Sequence, residues 1–243
     1  MIRKFFSSKV LSLGIYIIFF IPACDRADDF IDLNKNSKMD RYENPNLTAQ
    51  ERALDILSRL SIKQKIAQLE SSAPPIKKLG ISKYNWMNEA LHGIRGDHGE
   101  ITTVFPQAIG LAATWNPELA KAQGVAISNE ARGLANQRGN DRYLDFWSPV
   151  INIGRDPRWG RTQEGYGEDP FLVSEISKSF VIGMQGDHPR YFKVLSAPKH
   201  FVANNEEYRR HSGSSEVPLK ILRDYYFQAF KSCIVDAKAQ SIM

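Results

Sequence analysis

A parallel α/β fold is what this sequence predicts, and three observations carry it. Helix-start signatures recur along the chain. Short apolar runs of strand character lie between them. The turns that follow those runs hold an unusual share of the charged residues. With 42% hydrophobic and 24% charged residues among 243, the composition is that of a globular chain, not a disordered one. Two cysteines exclude a disulfide scaffold and a cysteine-built zinc site.

In chain order, residues 1–23 read as an export signal: a basic start at Arg3 and Lys4, then an apolar run from Val10 to Phe20, too short for a spanning helix. Ile21-Pro22-Ala23-Cys24 resembles the lipobox of bacterial lipoproteins. Lipid on Cys24 would anchor the mature protein to a membrane, at the periplasmic face or the cell surface. Pro22 departs from the usual small residue there, and simple cleavage beside an incidental cysteine is the alternative. The formal charge of +5 owes much to Arg3, Lys4 and Lys9. The rest is nearly neutral with no Lys/Arg stripe, so nucleic-acid binding has no electrostatic basis.

Residues 24–47 form a polar linker with one patterned stretch. Asp32, Asn34, Asn36, Asp40 and Glu43 fall at positions 1, 3, 5, 9 and 12 of a loop of the EF-hand type, which suggests a structural calcium ion. Ser37 stands where that loop wants glycine, and no entering helix precedes Asp32; a solvated Asn/Asp-rich linker is the alternative.

The domain proper is expected over residues 48–243. Thr48-Ala-Gln-Glu51 is a capping box opening a helix that carries Leu54, Leu57 and Leu60, and Ser61-Ile-Lys-Gln64 repeats the device. Asn116-Pro117 and Asp169-Pro170 each place a capping side chain before proline at the first helical position, starting helices that run towards Gln137 and Gly186. Pro218 opens another, with Leu222, Tyr225, Phe230 and Ile234. The apolar runs Ile109–Ala113, Phe146–Ile153, Val194–Ala197 and Ser241–Met243 supply the strands. No Gly-x-Gly-x-x-Gly, Walker loop, Gly-x-Ser-x-Gly or His-Glu-x-x-His is present, so nucleotide, α/β-hydrolase and zincin chemistry lack their motifs.

In a parallel α/β barrel the carboxyl ends of the strands face one mouth, where ligands bind. The turns there combine Arg, Lys and His with Trp159 and Tyr166. Cations donate to hydroxyls, carboxylates accept from them and aromatic faces cover C–H patches, a set suited to a polyhydroxylated ligand.

These segments resemble the amino-terminal domain of glycoside hydrolase family 3. The resemblance runs from about Leu54 to Met243, through Asn88-Glu89-Ala-Leu-His92-Gly93, Phe105-Pro106, Arg155-Asp-Pro-Arg-Trp-Gly-Arg161, Gly165-Tyr-Gly-Glu-Asp-Pro170 and Lys199-His200-Phe201. It implies a (β/α)8 barrel of TIM type followed by an α/β sandwich domain. It also implies retaining, exo-acting hydrolysis of β-linked sugars from the non-reducing end, without a catalytic cofactor. By that resemblance Glu89 grips sugar hydroxyls, Arg161, Lys199 and His200 bind the sugar in subsite −1, and Arg95 is a further sugar contact. Read alone, Glu89 is a surface carboxylate, and Arg155 and Arg158 are structural partners of Asp156 and Glu168.

Glu in place of Asp at position 89 crowds a C6 hydroxymethyl, and the Asn-Glu-Ala-Leu-His-Gly form resembles the xylosidase and arabinofuranosidase branch. One methylene gives only about 1–3 kcal/mol of discrimination, so a β-glucosidase stays open. The nucleophile and acid/base of the family come later than Lys199-His200 and are expected beyond Met243. The fold class expected is therefore α/β, an incomplete TIM-type barrel, inactive alone, whose ligand is a β-linked oligosaccharide or aryl glycoside. A non-catalytic sugar-binding lipoprotein, or a gene fragment, is the rival reading.

Overall fold

The computed structural model describes residues 30–96, 99–139 and 142–243; the segment expected as an export signal and Cys24 lie outside the described residues. The chain divides into two compact units, one ending at Ser58 and one running from Arg59 to Met243.

In the first unit, helix α1 (Ala49–Ser58) opens with the capping box foreseen. Glu51 N–H donates to Thr48 Oγ1 at 3.2 Å and Thr48 N–H to Glu51 Oε2 at 2.9 Å. The helix holds the preceding loop at both ends of Tyr42: Arg52 Nε donates to its carbonyl at 2.7 Å, and its own N–H donates to Asp55 at 3.1 Å. The Tyr42 ring is buried.

The second unit begins with α2 (Ile62–Ala67), capped reciprocally by Ser61 and Gln64. A two-residue antiparallel pair follows, β1 (Ser72–Ala73) with β2 (Tyr84–Asn85). Helix α3 spans Ala108–Ala112, α4 Pro117–Arg138 and α5 Pro170–Gln185. The Asn116 and Asp169 side chains accept from the N–H groups of Leu119 and Leu172 as the Asn-Pro and Asp-Pro signatures require. Strand β3 (Asp145–Phe146) pairs in parallel with β4 (Leu195–Ser196). After Pro218 the chain is helical again, as α6 (Leu219–Ile221) and α7 (Phe227–Lys231) interleaved with π-helical turns at Leu222–Tyr226 and Ser232–Asp236.

The run Ile109–Ala113, expected as a strand, is helix α3 instead. Its alanines and leucine favour helix over sheet, and only Ile109 is β-branched. Of the run Phe146–Ile153 only Phe146 lies in β3, and Pro149 further on has no N–H to give a ladder. Its later residues still follow their neighbour: Val150 bridges Lys199 in parallel, and Ile151 N–H donates to the Lys199 carbonyl at 2.7 Å. On one side Trp147 N–H donates to the Asn88 carbonyl at 2.9 Å, and on the other Phe201 N–H donates to the Met243 carbonyl at 2.7 Å. The segments around 88, 147, 199 and 243 thus lie side by side in chain order, the order of a barrel wall.

Helices α4 and α5 lie across this wall in close contact. A Cβ on Gly124 would stand 2.5 Å from the Phe180 carbonyl oxygen, and one on Gly183 2.2 Å from that of Lys121; only glycine admits that approach. Phe146, Ile127, Phe180 and Met184 fill one core cluster, and Ile151, Ile176, Phe230 and Cys233 another. Burial pushes the Cys233 thiol up to about 12, so this cysteine is an inert core group. Among the described residues no helix is long and apolar enough to cross a membrane.

Candidate sugar-binding site

Glu89 leaves the wall at the segment next to β3. The Asn88 carbonyl accepts from Trp147, its side chain accepts from Glu89 N–H at 3.0 Å, and Ala90 N–H donates to the buried Ser148 hydroxyl at 3.1 Å. Lys199 and His200 leave the next segment but one, beyond β4. The Lys199 ammonium is nearly sealed from solvent, with 4% of its side chain exposed, and it forms an ion pair with Glu89, itself 28% exposed. Lys199 Nζ also lies 5.7 Å from the centre of the Trp147 ring, a cation–π distance. Burial pushes the Glu89 carboxyl up, with Lys199 drawing it back. Burial likewise pushes the Lys199 ammonium down. Each charge is costly there without the other.

Arg161 is held flat against Glu164, with Nε to Oε1 at 2.8 Å and Nη2 to Oε2 at 2.6 Å, the two-toothed geometry that fixes a guanidinium plane. This pair is within electrostatic reach of Glu89, Lys199 and His200. His200 Nδ1 lies 2.9 Å from Asn152 Oδ1, and burial, followed by Arg161 and Lys199, pushes the ring down to about 4. At neutral pH the ring is uncharged.

Four of the five expected sugar residues are therefore gathered: Glu89, Arg161, Lys199 and His200. Arg95 meets Glu89 through the backbone. Its N–H donates to the Glu89 carbonyl at 2.9 Å, closing the turn after Glu89, while its side chain stands exposed. Arg158 pairs with Asp156 at 2.6 Å as foreseen. Arg155 does not reach for Glu168: it donates to Asn205 Oδ1 at 2.9 Å and lies over the Tyr226 ring. Residues that the sequence reading missed are Trp147, Asn152, Glu164 and Glu207. Glu207 accepts from Trp159 Nε1 at 3.1 Å and pairs with Arg210 at 2.8 Å. A lone amide inside the apolar run Val150-Ile-Asn152-Ile153 was the available signal for Asn152, since a buried amide must find partners. A cavity of about 960 Å³ lined by Lys83, Arg132, Arg138 and Tyr143 contains none of these site residues.

The residues expected to hold calcium sit in the first unit. Asp32 accepts from the N–H groups of Asn36 and Ser37. Asn34 and Asn36 both donate to Asp40 Oδ2 at 2.7 and 2.9 Å, and Glu43 accepts from Leu33 and Asp40 N–H. All five side chains thus turn into one loop. Among the described residues no three His, Cys, Asp or Glu side chains form a metal cage by themselves.

The fold and the site define an α/β domain that presents an ion pair, a neutral imidazole and a clamped guanidinium where its parallel segments end. Residues 58–243 match the family model described as the glycosyl hydrolase family 3 N terminal domain. A xylan 1,4-β-xylosidase of Xylanibacter ruminicola is 41% identical over 213 residues, which are 83% of this chain and 24% of that protein. A β-xylosidase/α-L-arabinofuranosidase of Medicago sativa subsp. varia is 38% identical, over 87% of this chain and 29% of its own length. Among solved structures, an exo-β-xylosidase bound to a xylobiose aziridine probe has a TM-score of 0.75 at 29% identity, covering 82% of this chain and 27% of that one. β-Glucosidase 3B of Thermotoga neapolitana, bound to glucose, has a TM-score of 0.67 at 29% identity, over 79% and 29%. The chain belongs to glycosyl hydrolase family 3. It spans about a quarter of the length of the curated relatives it matches.

Proposed function

We propose that this chain carries the sugar-gripping part of an exo-acting, retaining β-xylosidase, holding the terminal non-reducing residue of a β-linked oligosaccharide or aryl glycoside. The observation that carries the reading is the Lys199–Glu89 ion pair, sealed on the lysine side and flanked by Arg161 and His200. Charged groups fixed before a ligand arrives give hydrogen bonds that strengthen as an oxocarbenium-like state forms. Glu89, longer than aspartate by one methylene, favours a pentose over a sugar with a C6 hydroxymethyl. The same site in a β-glucosidase is the second reading, supported by the β-glucosidases among the structural relatives. Arg95 belongs to the proposed sugar contacts as well.

A retaining mechanism needs two carboxyl groups roughly 5 Å apart, free to act as nucleophile and acid/base. The carboxylates near the sugar site are engaged otherwise: Glu89 with Lys199, Glu164 with Arg161, Glu207 with Trp159 and Arg210. The proposal is therefore that these 243 residues bind the sugar and do not turn it over. Export with a lipid on Cys24, and a structural calcium ion in the loop of Asp32, Asn34, Asn36, Asp40 and Glu43, complete the reading.

The test is titration of the chain with xylose and methyl β-xyloside, read by tryptophan fluorescence with a Trp147→Phe variant as the control for the residue beside Lys199, together with an assay on aryl β-xyloside. Saturable binding without turnover is the expected result. Absence of binding sinks the sugar site, and turnover sinks the claim that catalysis lies outside this set of residues.

A further inference from the structure

We propose that Asn152 is a positioning residue that holds His200 as the Nδ1–H tautomer, so that Nε2 meets the ligand as a bare hydrogen-bond acceptor. The acceptor role rests on the sugar-site reading above; the tautomer does not.

The orientation of the Asn152 amide follows from two backbone partners that allow no choice. His200 N–H, which can only donate, lies 3.0 Å from one end of the amide. The Asn204 carbonyl, which can only accept, lies 2.6 Å from the other. The end facing His200 is therefore the oxygen and the end facing Asn204 is the NH2. That oxygen is also 2.9 Å from His200 Nδ1. Two acceptors cannot share a hydrogen bond, so Nδ1 carries a proton. A neutral imidazole has one N–H, which leaves Nε2 with its lone pair. Among the described residues Nε2 meets no hydrogen-bond partner. Free histidine prefers the opposite tautomer, with the proton on Nε2, so the amide reverses the default.

The consequence for recognition is a balance of roles. Lys199 and Arg161 can only donate, and without an acceptor beside them the site would grip hydroxyls through their oxygens alone. Glu89 supplies one acceptor group, whose Oε1 is already shared with Lys199. A bare Nε2 supplies a second and accepts a hydrogen bond from a hydroxyl. A ring with its proton on Nε2 would instead add another donor to a site that already has an excess of them.

The protein contains its own references for the test. His188 Nδ1 accepts from the N–H groups of Arg190 and Tyr191, both at 3.1 Å, so its proton is on Nε2. His92 Nδ1 faces the Phe105 carbonyl at 2.9 Å, so its proton is on Nδ1. Long-range ¹H–¹⁵N correlation spectra of the uniformly ¹⁵N-labelled full chain at neutral pH distinguish the two patterns. We expect His200 to share the His92 pattern, Asn152→Ala to drive it towards the Nε2–H form, and Asn152→Asp, which keeps an acceptor oxygen, to retain it. A His200 that shares the His188 pattern in the unmodified chain overturns the proposal whether or not the variants fold, and so does an Asn152→Ala spectrum that does not change. Adding xylose then separates the two readings. A shift confined to His200 Nε2 supports the acceptor role, while an unmoved Nε2 in the expected tautomer overturns that role together with the sugar site.

Discussion

Lys199 and Glu89 stand 110 positions apart in the chain and form one ion pair. Among the described residues neither pairs with another full charge, and the two wall segments that carry them flank β3. The pair is thus a tie across the wall. Removing one member leaves the other buried and uncompensated, a loss of roughly 3–5 kcal/mol. Glu89→Gln should therefore destabilise strongly, because it leaves the sealed Lys199 ammonium without its counter-charge, Lys199→Met less because the Glu89 left behind is partly exposed, and the double variant less than the sum. Urea unfolding of the four proteins of this cycle measures the coupling; additive losses would contradict it.

The folded-state pKa of His200, about 4 against an ordinary 6.5, fixes a direction for acid sensitivity. The depressed value means that the unfolded chain binds this proton more readily than the folded one. Stability from the neutral ring is complete above pH 6.5 and is lost as the pH falls through the window down to about 4. His200→Gln should flatten the decline of the urea midpoint across that window. A variant as acid-sensitive as the parent would place the titration elsewhere.

How far the sequence revealed this arrangement depends on the range of each signal. The caps at Thr48, Ser61, Asn116 and Asp169 are local, because a side chain and an N–H three residues on settle them, and each is found where the spacing puts it. Strand extents are not local. Whether Ile109–Ala113 or Phe146–Ile153 becomes sheet depends on a neighbour to bond with and on Pro149, and the first became helix. Motif resemblance singled out Glu89, Arg161, Lys199 and His200, which the fold brings near one another. Their partners Asn152 and Glu164 carry no motif, and Arg155 turned to Asn205, fifty residues away, for want of any sequence rule that pairs such distant groups.

Asp145 titrates with the opposite sign. It is buried at the start of β3, with Tyr84 Oη 3.5 Å from its Oδ2, and burial pushes its carboxyl up to about 6. The folded chain therefore holds this proton more tightly than the unfolded chain. Its stability is present below pH 3.8 and lost as the pH rises through about 6. Asp145→Asn removes the cost of a buried charge and should raise the melting temperature at neutral pH while changing little in acid. Equal shifts at both pH values would show that the carboxyl is solvated.

The α4–α5 contact makes a prediction about packing alone. The Cβ of Gly124→Ala would sit 2.5 Å from a backbone oxygen, where no flexible side chain can yield. The helices must part, at a cost typical of an overpacked core, about 1–3 kcal/mol. On an exposed helix the same change would stabilise through propensity. Gly133→Ala on the same helix, where nothing lies within 4 Å, is the control, and thermal melts of the two should move in opposite directions.

The loop from Asp32 to Glu43 gives the last prediction. Its side chains already converge, Asn34 and Asn36 on Asp40 and Glu43 on the backbone of Leu33 and Asp40. Oxygens at this spacing suit a hard cation of calcium's size better than magnesium, which keeps its waters and demands a tighter octahedron. A bound ion would replace those internal bonds and stabilise the unit by mass action, as any ligand of the folded state does. Calorimetric titration of the full chain with calcium should release or absorb heat saturably, magnesium should compete weakly, and Asp32→Ala and Glu43→Gln should each abolish the signal. The two substitutions differ usefully. Glu43 is buried and also fastens Leu33 and Asp40, so its loss alone is open to a structural explanation, whereas Asp32 is partly exposed and, among the described residues, accepts from Asn36 and Ser37. Calcium binding that survives Asp32→Ala unchanged would leave the spacing without a ligand and the loop as a turn held by its own amides.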